Sequence, residues 1–192
     1  MIGYVKRIFL LLVQEKDALL TDGGDGPNRR LRVDVGQTGF FSGREFRTFK
    51  RYELATGASE YLKIFSPVNF VLQGLGIQVD LGHVHLEAYT GVTEGDAFDV
   101  ALPIFGANRM TERPTPLYEP MVTINDGGAF TGGTMLDLLS VKVDTQSSQS
   151  TTQDASVAGE RGLPAGTYYL KLVNQNNSAA EVIIRARWEE RP

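Results

Sequence analysis

Period two dominates the chain. In RRLRVDV (residues 29–35), Leu31, Val33 and Val35 face one way and Arg30, Arg32 and Asp34 the other. GIQVDL (76–81) alternates Ile77, Val79 and Leu81 with Gln78 and Asp80, and HVHLEAY (83–89) sets Val84, Leu86 and Ala88 against His83, His85, Glu87 and Tyr89. TYYLKLV (167–173) points Tyr168, Leu170 and Leu172 inward. AEVIIRARWEE (180–190) gathers Val182, Ile184, Ala186 and Trp188 on one face. Glycine-rich turn signals such as ATGAS, YTGVTEGD, NDGG, FTGG, PAG and NQNNS separate these runs. No stretch beyond the first twenty residues offers a helical period. The pattern predicts an all-β fold, an antiparallel β-sandwich of jelly-roll type with an extended N-terminal arm and long loops. Residues 1–27 read as the arm or a first strand. Residues 28–192 read as a single sandwich domain, with Leu170, Leu172, Ile184 and Trp188 in its core.

Three stretches break the period. Residues 145–153 are nine consecutive Thr, Gln and Ser, inside a long polar loop at 144–160. Such a tract buries too little apolar surface to offset its own ordering entropy, so it is expected to become ordered by contact with another chain. Residues 106–120 carry Pro114, Pro116 and Pro120, which remove backbone donors and favour extended chain crossing a surface. The apolar run IFLLLV (8–13) is too short to span a bilayer, and QEKD follows where a signal peptide would carry small residues. It reads as a buried strand or a docking arm. The candidate interaction residues are therefore Thr145, Gln146, Ser147, Ser148 and Gln149 in the tract, Arg113, Pro114, Pro116 and Tyr118 in the crossing segment, and Ile8, Phe9 and Leu10 in the arm.

Composition narrows the chemistry. The 192 residues contain no Cys, which excludes disulfides, thiolate zinc sites and thiol catalysis. A net charge of −4 gives no global attraction to nucleic acid or an anionic membrane, and neither is expected as a partner. The charge is uneven: residues 1–66 hold 11 Lys/Arg against 8 Asp/Glu, residues 67–192 hold 8 against 15. This asymmetry suits contacts between copies. Strand period puts His83, His85 and Glu87 on one face, near enough to share a metal. The spacing resembles the first metal segment of cupins, but Glu87 comes too early, and Tyr169 stands where the second segment needs a His. With two His in the chain the cupin ligand set cannot be completed, so the face reads as the polar side of a strand. REFRTFKRYEL (44–54) interleaves Arg44, Arg47, Lys50 and Arg51 with aromatics, and reads as a strand with basic side chains reaching to solvent. NDGGAFTGG lacks the spacing of a calcium loop and reads as turn. Glu94 and Asp96 sit in what reads as a Gly-rich turn. No nucleophile motif and no phosphate-cradling loop is present. The chain is expected to be no enzyme, with no cofactor and no metal.

LPIFGANRMTERPTPLYEPMVTINDGGAFTGGT (102–134), ERGLPAGTYYLKLVN (160–174) and the terminal WEERP resemble small virion structural proteins of tailed bacteriophages, over most of residues 40–192. The resemblance implies a β-rich subunit of a phage particle, made in the bacterial host cytoplasm: a capsid decoration or cement protein, or a head–tail or tail accessory. Its implied partners are the major capsid protein, tail or portal components, and copies of itself in a homo-oligomer. The readings it competes with are a cupin-like metal protein and a glycan-binding sandwich with Tyr89 and Tyr118 lining a groove.

Overall fold

In the computed structural model, the described residues are 38–80, 82–108, 118–143 and 161–192. Residues 8–13, 29–35, 109–117 and 144–160 lie outside them. A helical turn, α1 (Thr38–Phe41), leads into β1 (Glu45–Leu54), β2 (Ser59–Ser66), β3 (Asn69–Val79) and β4 (Gly82–Thr90). Short strands follow: β5 (Thr93–Asp96), β6 (Val100–Ala101), β7 (Phe105–Gly106), β8 (Thr123–Asp126) and β9 (Ala129–Thr131). The long β10 (Thr134–Val143), short β11 (Arg161–Leu163) and long β12 (Gly166–Asn174) and β13 (Ala180–Arg191) complete the described set.

Two antiparallel sheets form, ordered β11-β3-β13-β1-β7 and β10-β4-β12-β2-β8-β6, with β5 and β9 as a separate ribbon. This is the expected all-β architecture, an antiparallel sandwich. The last two long strands fill the middle. β13 lies between β1 and β3, and β12 between β2 and β4.

Alternation decides what faces inward. Val182, Ile184, Ala186 and Trp188 of β13 are all buried, as are Leu170 and Leu172 of β12, so the predicted core stands. Phe46, Tyr52 and Leu54 of β1, Ile77 and Val79 of β3 and Val84 and Leu86 of β4 join them in one cluster. Each buried Leu or Ile of this kind contributes about 1.5–3 kcal/mol through area removed from water. Strand β3 changes phase at Gln73. Phe70 and Leu72 point inward before it and Leu75, Ile77 and Val79 after it, because β13 pairs Trp188 with Leu72 and Arg187 with Gly74. The extra residue is a β-bulge.

Three buried polar side chains tie loops to this core. Glu190 is fully buried. Its carboxylate accepts from the backbone N–H groups of Met121 (3.0 Å to Oε2) and Val122 (3.0 Å) and from the Trp188 indole N–H (3.2 Å). Asn174 donates to the carbonyls of Leu54, Ala55 and Ser178 and accepts from the Asn176 N–H, so one side chain closes two turns. Asp126 accepts from Lys50 Nζ and, at 3.0 Å, from the Tyr52 hydroxyl. This corrects two expectations. Lys50 does not reach out to solvent but turns to a carboxylate that is 3% exposed, and the Asp of NDGG belongs to the core edge rather than to a simple turn. Burial, with Asp126 beside it, pushes the Tyr52 phenol far above its usual range.

Truncating Leu172 or Ile184 to Ala is expected to cost about 2–5 kcal/mol, while Arg185→Ala on the outer face stays within about 0.5 kcal/mol. Urea denaturation measures both, and unchanged midpoints for the core variants would refute the strand phase. Glu190→Gln sets an amide N–H₂ against backbone donors and is expected to cost about 1–3 kcal/mol. Amide exchange at Met121 and Val122 should accelerate in that variant. Exchange at wild-type rates would show that the carboxylate does not hold the segment.

Candidate interaction surface

One edge of the sandwich differs from the rest. Gly132 and Gly133 take left-handed φ of 66° and 89°, and a Cβ on Gly133 would lie 2.6 Å from Val92 Cγ1, so glycine is required where the chain turns into β10. β10 pairs with β4 on one side and has no second neighbour among the described residues. Its register with β4 skips Leu136: Met135 faces Tyr89 and Asp137 faces Ala88. This bulge swings an apolar side chain outward at the sheet edge. Met135, Leu136 and Leu138 are 47%, 50% and 50% exposed, while Val141 and Val143 further along are buried. β11 is the facing edge of the other sheet. Between the two edges a cleft of about 190 Å³ is lined by Leu75, Leu86, Ala88, Leu138 and Leu139, with the Asp137–Arg161 ion pair (2.7 Å) among its lining residues. That volume suits one large apolar side chain. The polar tract joins β10 to β11, so both its flanks belong to this edge.

Of the residues singled out from sequence, Thr145, Gln146, Ser147, Ser148, Gln149, Arg113, Pro114, Pro116, Ile8, Phe9 and Leu10 lie outside the described residues. Tyr118 is described. Its ring packs 6.1 Å from that of Phe46, and its hydroxyl is buried near the Glu190 carboxylate. Burial and the nearby Glu190 carboxylate raise its pKa. Sequence reasoning missed Met135, Leu136 and Leu138. TMLDLLSVKV mixes apolar and polar residues without clean alternation, and that irregularity is the trace of the bulge.

The outer face of the second sheet is partly covered. The β5–β9 ribbon lays Phe130 against Tyr61, Tyr89 and Tyr169, at centroid distances of 5.1, 5.4 and 5.3 Å. Tyr89 thus packs under the ribbon, and its hydroxyl donates to Glu87 (2.8 Å). Glu94, on strand β5 and not in a turn, accepts from the Tyr169 hydroxyl (2.5 Å) and pairs with Lys63 (2.6 Å). Beyond the ribbon, His83 and His85 remain half-exposed, their Nε2 atoms 3.2 Å apart, with Ser140 Oγ 2.9 Å from His83 Nε2. No group of three or more His, Asp or Glu converges on a point among the described residues. No helix among them is long and apolar enough to cross a membrane.

Comparison with protein-family models, with characterised proteins and with solved structures finds no match to this chain.

The ribbon contact is sensitive to pH at both ends of the scale. Burial, then the bond to Glu94, pushes the Tyr169 phenol up to about 12. A raised pKa favours the protonated form on folding, so this stabilisation is complete below the ordinary tyrosine value near 10 and lost as pH climbs through about 12. The bonds from Lys63 and Tyr169 hold Glu94 below its usual range. That contribution is present above the ordinary glutamate value and lost as pH falls through the lowered one. Tyr169→Phe should remove one late phenolate transition from an absorbance titration and flatten the stability loss above pH ~10. A variant with the wild-type alkaline profile would refute the assignment.

Proposed function

We propose that this chain is a non-enzymatic structural component of a tailed-bacteriophage virion, a capsid decoration or cement protein that binds the particle surface and neighbouring copies. One observation carries the reading: the β10 edge, where three large apolar side chains project beside an open cleft. Edge strands are ordinarily blunted by charge, proline or cover, because an exposed one templates association. This edge carries the bulge, but at the bulge it displays Leu136 rather than a charge. The sandwich supplies a rigid platform, and the polar tract that leaves β10 would reach over the same partner. Ordering such a tract costs about 2–5 kcal/mol of contact energy, which many linked subunits on one particle offset. The major capsid protein is the partner this reading requires. The fold holds buried Glu190 through backbone and indole N–H groups and buried Asp126 through Lys50 and the Tyr52 hydroxyl, which is a structural use of charge.

Density-purified phage particles from a host that produces the protein provide the test. Its peptides should be found by mass spectrometry at a copy number comparable with the capsid subunits, and should persist on tailless heads. Recovery with tails alone would move the protein to a tail accessory role. Absence from particles, with the protein free in the lysate, would overturn the virion reading. Leu136→Lys with Leu138→Lys should leave the melting temperature within a few degrees and reduce incorporation at least tenfold.

A further inference from the structure

Neither the core nor the β10 edge makes use of His83 and His85. They stand two apart on the outer face of β4, with ring centroids 4.8 Å apart and rings nearly perpendicular. Their Nε2 atoms approach to 3.2 Å. Each Nε2 carries either one lone pair or one hydrogen. Two lone pairs facing each other at this distance repel unless a proton or a metal cation lies between them. Ser140 Oγ adds a third polar atom, 2.9 Å from the same His83 nitrogen. His83 Nε2 therefore has two neighbours and a single bonding position to offer them. One N–H donated from ring to ring satisfies the pair in the absence of metal, and a cation is the other occupant this geometry admits, because it binds both imidazole lone pairs at once.

The separation also fits. Two ligands at 2.0–2.1 Å from a tetrahedral zinc ion lie roughly 3.3–3.4 Å apart, against 3.2 Å here. Against the expectation of no metal read from the sequence, we propose that His83 and His85 form a two-nitrogen site for a borderline divalent cation such as Zn²⁺, Ni²⁺ or Cu²⁺. Imidazole suits these metals and not Mg²⁺ or Ca²⁺. Glu87 lies on the same face two positions on, but its carboxylate accepts from Tyr89, and Lys142 stands opposite His83 in the register. The protein thus supplies two ligands, and two positions are left to water or to a ligand from another chain. This site differs from the three- and four-ligand sets of zinc enzymes, and it stands independently of the virion reading.

Titration of the full chain with Ni²⁺ and with Zn²⁺ is the test. Saturable binding of one equivalent is expected, with Mg²⁺ and Ca²⁺ at least tenfold weaker. His83→Ala and His85→Ala should each weaken Ni²⁺ binding at least tenfold. Substoichiometric Cu²⁺ should selectively broaden NMR signals of residues 83–85 and 140, a readout that does not depend on either variant folding normally. No saturable binding, binding retained in either variant, or broadening centred elsewhere would each overturn the proposal.

Discussion

Both sheets are completed from the C-terminal end of the chain. β13 supplies the middle of one sheet and β12 the middle of the other, so neither layer has a continuous core until residues 166–191 are in place. The pairings are long-range: Arg187 meets Glu45 from 142 positions away. Such contacts reward the chain only after a large loop-closure entropy has been spent. Once made, they bury Trp188, Ile184, Leu170 and Leu172 together and bring Glu190 to the one place where it serves three donors. A fully buried carboxylate without those donors would be strongly destabilising. Glu190 therefore couples the position of the Tyr118–Val122 segment to the seating of β13.

The same arrangement explains where the molecule is open. Filling both sheet centres with the last strands pushes β10 and β11 to one margin and β6 and β7 to the other. The β6–β7 margin has apolar exposure of its own, at Val100 and in the Phe49–Phe105 stack. On the β10 side the bulge and the cleft coincide, and Arg161, the first residue described after position 160, pairs with Asp137 in the cleft lining. The docking role proposed for this margin rests on that arrangement.

Much of the fold was legible in the sequence because period two is unambiguous where one face is buried. The β13 run was readable residue by residue, since Val182 through Trp188 alternate without interruption. The failures have physical causes. Gln73 shifts the phase of β3 by one residue, and Leu136 does the same in β10. Period two cannot follow a bulge, so the exposed edge stayed hidden. Lys50 and Asp126 looked like a surface cation and a turn residue because their pairing is made across 76 positions of chain. Glu94 was hidden likewise, since its partners Lys63 and Tyr169 come from other strands. Local composition does not encode contacts of that kind. Most of the interaction residues chosen from sequence were picked for low-complexity or proline content, and they fall outside the described residues. Tyr118 was placed on the surface by its proline neighbours, whereas packing against Phe46 turns its hydroxyl inward.

The central claim is that the β10–β11 margin is the face this protein presents to its partner. Hydrogen–deuterium exchange of the free protein and of the particle-bound protein tests it directly. The account predicts that protection rises on binding across residues 134–143 and 161–163, while β12 and β13, already protected in the free fold, change little. Protection gained instead at Phe49, Val100 and Phe105, with β10 exchanging as before, would contradict it.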